Sequence, residues 1–540
     1  MGNRRVRIAI ALTVVTAGTV VIAGPTAPVG AVGPCATIPT RTFVGEQTSA
    51  FSSTLLANER VDANGASWTG NTSYPVYFDS GDDSCWDGGS IKGTFPVGTT
   101  WSTFHGNTGF GFGGARFTLD HPRVFNYGDA ISVKTGSDDF LIKNAYLAYI
   151  HDDCVQNDDL LAGTIDNSYL DGCYVGFSAR RSSGETFDGH LRTWNISNSL
   201  VRLQAMPTVY AGPAAGHGGF FKWDDSAPTS PMLNISNTIF RADQGTNHQS
   251  LNLPAGYPVT CTGNTVVWLG TGVFPGTASW MTACPDTVIT TNRSVWDAAA
   301  RTWDIAHPGV ITGPEVSVGD ASILEGTTTG SRTFKFPLSL SAPPGTGKTV
   351  TVYWATAPGT AGTSDFTPIK GKAVFTATQV LKMLSVTVKQ DPDAENNELM
   401  SLVVAGVDGG ENHRERGTGT IVDDDHPGTA GLVVSDAVLV EGDLGTRSLQ
   451  VPIALSAPAA SDVLINWSTV DTGSATGGVD YTSRSGTVKI AATQRSTYVT
   501  IPILPDTASE GNETFQIVVN SAGIATVIDG TGLVTIRDDD

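Results

Sequence analysis

Two kinds of carboxylate cluster stand out along the chain. The first is His151-Asp152-Asp153-Cys154-Val155, with Asn126-Tyr127-Gly128-Asp129 a little over twenty residues upstream. Inverting glycoside hydrolysis needs one protonated carboxyl to protonate the leaving oxygen and a second carboxylate to activate water. If Asp129 is stacked beside Asp152 and Asp153, mutual repulsion raises one pKa and makes an acid and a base from like residues. His217, inside Gly216-His217-Gly218, and Lys222 are candidates to hold an acidic sugar, as are Arg180 and Arg181. Trp223-Asp224-Asp225 suits a sugar-stacking platform. Two competing readings stay open: aspartates that only bond local backbone N–H groups in turns, and a calcium site made of His151, Asp152, Asp153, Asp158 and Asp159.

The second kind repeats. Glu325 in ILEG recurs as Glu441 in LVEG, and Asp365 in SDF recurs as Asp480 in VDY. Asp391, Glu395 and Glu398 recur as Asp506, Glu510 and Glu513. Asp423, Asp424 and Asp425 recur as Asp538, Asp539 and Asp540. Consecutive aspartates repel one another without a counter-ion. A hard divalent cation removes that cost, and Ca²⁺ takes six to eight oxygens in a flexible cage. The alternative is solvated acidic loops kept for solubility.

The elements that must position these residues are short strands. From about 315 onward, runs such as Phe334-Lys335-Phe336 and Val350-Thr351-Val352-Tyr353-Trp354 alternate apolar and polar between turns rich in Gly, Pro, Ser and Asp. About seven strands in about 110 residues reads as an antiparallel β-sandwich, and the tandem duplication makes two of them. Residues 35–310 show a quieter repeat, apolar-x-Asn-small-x-apolar, at Ile142-Lys143-Asn144, Ile165-Asp166-Asn167, Ile196-Ser197-Asn198 and Ile235-Ser236-Asn237, with a degenerate copy around Asn264. A second register sets Gly128-Asp129 against Asp152-Asp153 and Val175-Gly176. Coils of this length with Asn at the turns predict a right-handed parallel β-helix, in which each coil buries its apolar row by stacking on its neighbours. A single large sandwich is the alternative.

Composition supports this division. With 52 acidic and 32 basic residues and a net charge of −20, the chain would repel a nucleic-acid backbone. Residues 1–31 read as an export signal: Arg4, Arg5 and Arg7 precede an apolar stretch and a small-residue cleavage site. No later segment is long and apolar enough to span a bilayer. The six cysteines all lie in the first half, and the sequential pairing 35–85, 154–173, 261–284 is favoured among fifteen because each pair is local.

The two repeats resemble the Calx-beta domain on ILEG/LVEG, SDF/VDY, the spaced Asp-Glu-Glu element and IVDDD/IRDDD. The resemblance implies that Glu325, Asp365, Asp391, Glu395 and Asp423 to Asp425 gather at one tip of the first sandwich. It places Glu441, Asp480, Asp506, Glu510 and Asp538 to Asp540 likewise in the second. The segment around Asp152 resembles the Asp-Asp-Cys element of polygalacturonase-like glycoside hydrolases in the pectin lyase-like superfamily. That resemblance also implies a Cys154–Cys173 bond to the next coil. The family places Gly-His-Gly a few residues after that cysteine, whereas here it comes more than forty residues later.

The expectation is an all-β, exported, monomeric protein: a right-handed parallel β-helix (35–310) followed by two Ig-like antiparallel β-sandwiches (315–425 and 432–540) that bind Ca²⁺. In the favoured functional reading the β-helix binds an extracellular polysaccharide or cell-surface partner and the sandwiches are calcium-stiffened spacers. In the alternative the β-helix cleaves an acidic glycan, as a hydrolase or a calcium-dependent lyase.

Overall fold

The computed structural model describes residues 39–540 except 80, 98, 182–183, 204–217, 225–228, 243–250, 271, 312, 327, 394–397, 424–430, 443–444, 457, 509–512 and 539–540. The expected leader, Cys35, His217, Glu395, Asp424, Asp425, Glu510, Asp539 and Asp540 lie outside the described residues. Among the described residues no helix is long and apolar enough to cross a membrane.

Between Arg41 and Thr290 the strands form one continuous parallel sheet wound into a right-handed parallel β-helix with three faces. One turn runs through Phe140–Lys143 on the first face, then through Tyr146–Gln156, which bends across the second and third. The repeated isoleucines stand in register: Ile142 on Ile165, Ile165 on Ile196, Ile196 on Ile235. Leu147, Leu170, Val201 and Phe240 do the same on the second face. All eight are buried, which no coil could achieve alone. A large sandwich is thereby excluded.

The asparagines of the repeat turn the corner between the first two faces. Asn144, Asn167, Asn198 and Asn237 have φ of 52°, 45°, 50° and 47°, in the left-handed region that Asn tolerates better than other L-residues. Their amides bond up the stack, Asn167 Nδ2 to Asn144 Oδ1 at 2.8 Å and Asn237 Nδ2 to Asn198 Oδ1 at 3.4 Å. In the degenerate copy Gly263 takes the corner at φ 67°, and Asn264 turns inward to hold Thr238 N and Ile235 O.

Cys154–Cys173 and Cys261–Cys284 are bonded as expected, with Cα–Cα distances of 5.6 Å and 5.2 Å. Cys85 is also disulfide-bonded. Helix α1 (Trp101–Phe104) sits on a loop inserted before the third face. Helix α2 (Thr277–Ala283) lies between the last two strands of the stack, Thr265–Trp268 and Val288–Thr290. Helix α3 (Ser294–Ala306) lays Trp296, Ala300 and Trp303, one helical stripe, over Tyr169, Leu200 and Val267.

Each repeat is a two-sheet sandwich with its own core. In the first, Phe334, Phe336, Val350, Val352 and Trp354 face one another. In the second the core includes Leu449, Val451, Ile465, Trp467 and Phe515. The first sandwich docks on the β-helix: Tyr353, Ala355 and Ala405 pack with Phe125, Tyr149 and Tyr174. Lys92 pairs with Asp408 at 2.6 Å, and buried Arg241 pairs with Glu415. Gly406 permits this approach, because a Cβ there would lie 2.4 Å from the Tyr149 ring.

The second sandwich folds back along the first. Arg332 donates to Leu324 O in its own repeat and to Leu455 O of the other at 2.8 Å. Its counterpart Arg447 donates to Leu340 O at 3.3 Å and to Ser341 O. Arg332 and Arg447 are equivalent in the duplication, as are Leu340 and Leu455, so the interface is a reciprocal pair of arginine clasps.

Candidate functional site

Asp129 opens the strand Asp129–Val133 on the third face, and the next coil lays Asp153 beside it in register. A β-bulge brings in Asp152. Ile150 pairs with Cys173 but Asp153 pairs with Val175, so His151 and Asp152 together oppose Tyr174. Successive strand residues point to opposite faces, and a bulge re-aims one of them. That is how adjacent aspartates come to share one site. It also corrects the expected register: Val175-Gly176 is one residue out against Asp152-Asp153, because the bulge adds a residue.

Asp129, Asp152 and Asp153 bring carboxylate oxygens within 4.8 Å of one another, and all three are buried. Asp129 Oδ1 accepts Asp153 N–H at 3.1 Å, and its Oδ2 accepts the Thr108 hydroxyl at 3.2 Å. Lys222 Nζ reaches both oxygens of Asp153, at 3.3 and 3.2 Å. His105 Nδ1 lies 3.0 Å from Asp152 Oδ2, and its ring stacks on Trp101. Asp152 Oδ1 is buried without a hydrogen bond.

The electrostatics follow from burial. Loss of solvent, then the charges of Asp152 and Asp153, push Asp129 well above the usual carboxylate range. Burial pushes Asp153 up to about 7 against the pull of Lys222. Despite its own burial, Lys222 is held above its ordinary value by Asp153, Asp152 and Asp129. The hydrogen bond with Asp152 raises His105. The group therefore keeps a proton near neutrality, as a property of the coupled set.

His151 has a different place from the one considered in the sequence. It is buried, stacks on Phe104 at 3.7 Å and meets Asn126 Oδ1 through Nε2 at 2.9 Å; burial pushes it down to about 3. It is a neutral packing residue. The five-residue calcium set does not form: Asp159 accepts from Thr135 and Asp158 from Gln156. Arg181 is held by Asp224 at 3.1 Å. Trp223 is no platform, because it is buried and donates to Pro231 O. His105 and Thr108 were missed. His105 belongs to an inserted segment, and Thr108 opens the strand before Asp129, in register with it, where the sequence shows no repeat signal.

A second group, Asp87, Asp120 and His121, also lies within 4.8 Å. It is a charge ladder on the first face, closed by Arg60 on Asp87 and Lys143 on Asp120. Its hydrogen bonds to Asp120 and Asp87 raise His121 to about 9, so the ladder supplies its own cation.

In the sandwiches Glu325, Asp365, Asp423, Glu441 and Asp480 are buried. Glu325 N bonds Val422 O, and Glu441 N bonds Arg537 O, so the first acid of each repeat sits beside the last strand. Asp365 Oδ2 accepts Gly362 N–H and Asp480 Oδ2 accepts Thr476 N–H, both at 2.6 Å. Asp391 and Asp506 each cap a turn, through Asp393 N and Ala508 N. Asp538 follows the last strand, with a buried Oδ1.

Residues 327–425 and 423–540 each match the model of the Calx-beta domain, so the two repeats are Calx-beta domains. No curated protein sequence matches the chain. Among solved structures it is similar to CBD12 from CALX1.2, at 18% identity over 39% of this chain and 82% of that one, with a TM-score of 0.19. The apo-form Calx CBD1 domain matches at 18% identity over 21% of this chain and 100% of that one, TM-score 0.19. Red sea bream transglutaminase matches at 10% identity over 45% and 34%, TM-score 0.15.

Proposed function

We propose that the β-helix is a glycoside hydrolase acting on a carboxylated extracellular polysaccharide, carried by two calcium-binding Calx-beta domains. The observation that carries the hydrolase reading is the gathering of Asp129, Asp152 and Asp153 within 4.8 Å of one another, with the Lys222 ammonium on Asp153 and the His105 ring on Asp152. Three crowded, buried carboxylates retain a proton, and that proton is what the glycosidic oxygen requires. The Asp129–Asp153 pair, linked through the Asp153 N–H and raised by burial, delivers its proton to the leaving oxygen. Asp152, with Oδ1 unbonded, holds the water. The close spacing leaves no gap of roughly 6.5–9.5 Å between two carboxyls, so the water sits at the rim of the cluster.

The test is release of reducing ends from a panel of acidic polysaccharides. The wild type should cut, and Asp152→Asn should lose about 10²–10⁴-fold, the usual worth of a positioned general acid or base. A wild type silent on the whole panel leaves the non-catalytic reading, a β-helix that binds glycan or a surface partner without cleaving it.

For calcium, the supporting observation is that each repeat buries acids at matched positions, Glu325 and Asp365 in the first, Glu441 and Asp480 in the second. Asp365 and Asp480 each spend one oxygen on a backbone N–H and keep the other for a cation. Glu325, Asp391, Glu395 and Asp423 to Asp425 would complete the first set. Glu441, Asp506, Glu510 and Asp538 to Asp540 would complete the second. Equilibrium dialysis against ⁴⁵Ca²⁺ at millimolar concentration reads this directly; no uptake above that of a variant lacking the buried tip acids would refute it.

A further inference from the structure

The third face of the β-helix carries a second feature, made by two tyrosines two coils on the N-terminal side of Asp129 and by Lys134, which directly follows the strand that Asp129 opens. Tyr74, Tyr77 and Lys134 line an open hollow of about 570 Å³ together with Ala50, Ser52 and Ser73. The two tyrosine rings meet edge to face at 5.5 Å, and Lys134 Nζ stands 5.0 Å over the Tyr74 ring.

The hollow is held in place from several sides. Tyr74 has φ 55°, a left-handed backbone that a bulky L-residue adopts only where its surroundings impose it. Gly111 lies beneath both rings; a Cβ there would come within 2.7 Å of Tyr74 and Tyr77. The Tyr77 hydroxyl donates to Asp79 at 3.0 Å, which fixes its ring. The platform is also tied to the acid cluster. Tyr74 N donates to Thr108 O, and the Thr108 hydroxyl donates to Asp129. Tyr77 pairs with Gly111 and Gly111 with Ser132, on the strand that Asp129 opens. Two interstrand steps put the rings roughly 10 Å from that strand, a few sugar units along an extended glycan.

We propose that Tyr74, Tyr77 and Lys134 form a subsite for a carboxylated sugar residue of the same polysaccharide chain, remote from the bond that is cut. The aromatic faces take the C–H face of a pyranose ring. Lys134 takes the sugar carboxylate while resting on Tyr74. The ammonium is the selective element, since it stands out on a chain with net charge −20. The proposal rests on the glycan-cleaving reading for its choice of ligand, but binding can be read without cleavage.

The experiment is calorimetric titration of full-length Asp152→Asn with an oligogalacturonate and with the same oligosaccharide after reduction of its carboxyls. The carboxylated probe should bind at least tenfold more tightly, about 1.4 kcal/mol. Lys134→Gln should abolish that preference and leave the neutral probe unchanged. Tyr77→Ala should weaken both probes about tenfold, while Tyr77→Phe, which keeps the ring and tests the fold, should bind as the parent does. Equal affinity of the two probes, no binding of either, or a folded Tyr77→Ala that binds normally overturns the subsite. In the active background, Tyr77→Ala should raise KM for long chains and leave kcat alone. A wild type that never cleaves but shows the binding pattern removes the hydrolase and keeps the subsite. Cleavage with no effect of these variants does the reverse.

Discussion

In the β-helix three carboxylates meet at a bulge, one of them on an ammonium; in the sandwiches the acids are spread over loop ends, several tied to a nearby backbone N–H. The first arrangement is internally compensated. Lys222 on Asp153, the His105 ring on Asp152 and a retained proton offset it. The second is compensated only in part by the backbone, and it leaves oxygens that suit a soft cage of variable number. The same residue type is therefore placed in two ways: crowded on one bulge, where it holds a proton, and spread over a sandwich, where it leaves oxygens for the cation proposed above. What decides between them is whether a lysine reaches in, as Lys222 does from two coils further on.

The sharpest way to break this comparison is to remove that lysine. Lys222→Met leaves Asp153 buried with its nearest cation gone, an arrangement that costs about 3–5 kcal/mol when one partner of a buried pair is deleted. The sign with pH follows from the raised pKa. Asp153 titrates at about 7 in the fold and lower when unfolded, so its contribution is present in acid and is lost as pH rises through 7. The stability gap between variant and parent should thus be largest near pH 8 and shrink by pH 5, as read by denaturant unfolding. A gap independent of pH would mean that Lys222 only fills space.

Next in size is the covalent tie behind the cluster. Cys154–Cys173 joins the bulged strand to the next coil across 19 residues. Removing it with paired alanines should cost about 3 kcal/mol on the loop-entropy model. Because Cys154 directly follows Asp153, activity should fall more than stability alone explains. Assay at a temperature where the variant remains folded separates the two.

Calcium should act on the other region. At a hundredfold excess over Kd, binding to the folded state alone contributes about 2.7 kcal/mol. Calorimetry of the full chain with calcium and then chelator should move the sandwich transition upward and leave the pH-dependence of the β-helix unchanged. If calcium abolishes the pH-dependence instead, the ion sits at Asp129, Asp152 and Asp153, and the comparison collapses.

How much of this was legible follows from the patterns themselves. The isoleucine and asparagine rows recur at near-constant spacing, so the coils and their corners could be read from Ile142 and Asn144 onward. The duplication exposed Glu325, Asp365 and their counterparts. Asp129, Asp152 and Asp153 were legible as types, but the bulge that unites them leaves no trace in residue identity. His105, Thr108 and the Tyr74–Tyr77 platform were invisible for a related reason: they sit on inserted segments or outward faces, which no periodicity constrains. Nor could repeats reveal docking. Gly406 under Tyr149 and the fold-back of the second sandwich depend on surfaces that meet only in space.

That fold-back carries the smallest effect and the most direct geometric test. Arg332 and Arg447 occupy equivalent places, each near the acid-bearing end of its repeat and each reaching a carbonyl at the far end of the other. A charged donor to a carbonyl contributes about 1.5–3 kcal/mol at most, and these two are only part-buried, so each clasp should be worth less. Symmetry makes them redundant: one alanine substitution leaves the opposite clasp closed. Arg332→Ala or Arg447→Ala alone should therefore leave small-angle scattering unchanged, while the double variant should swing the second sandwich out and raise the radius of gyration. If either single variant opens the pair fully, the clasps are not equivalent. If the double variant stays compact, the sandwiches are held by the packing of Gly319 against Val438 and the Ser435–Ser322 contact instead.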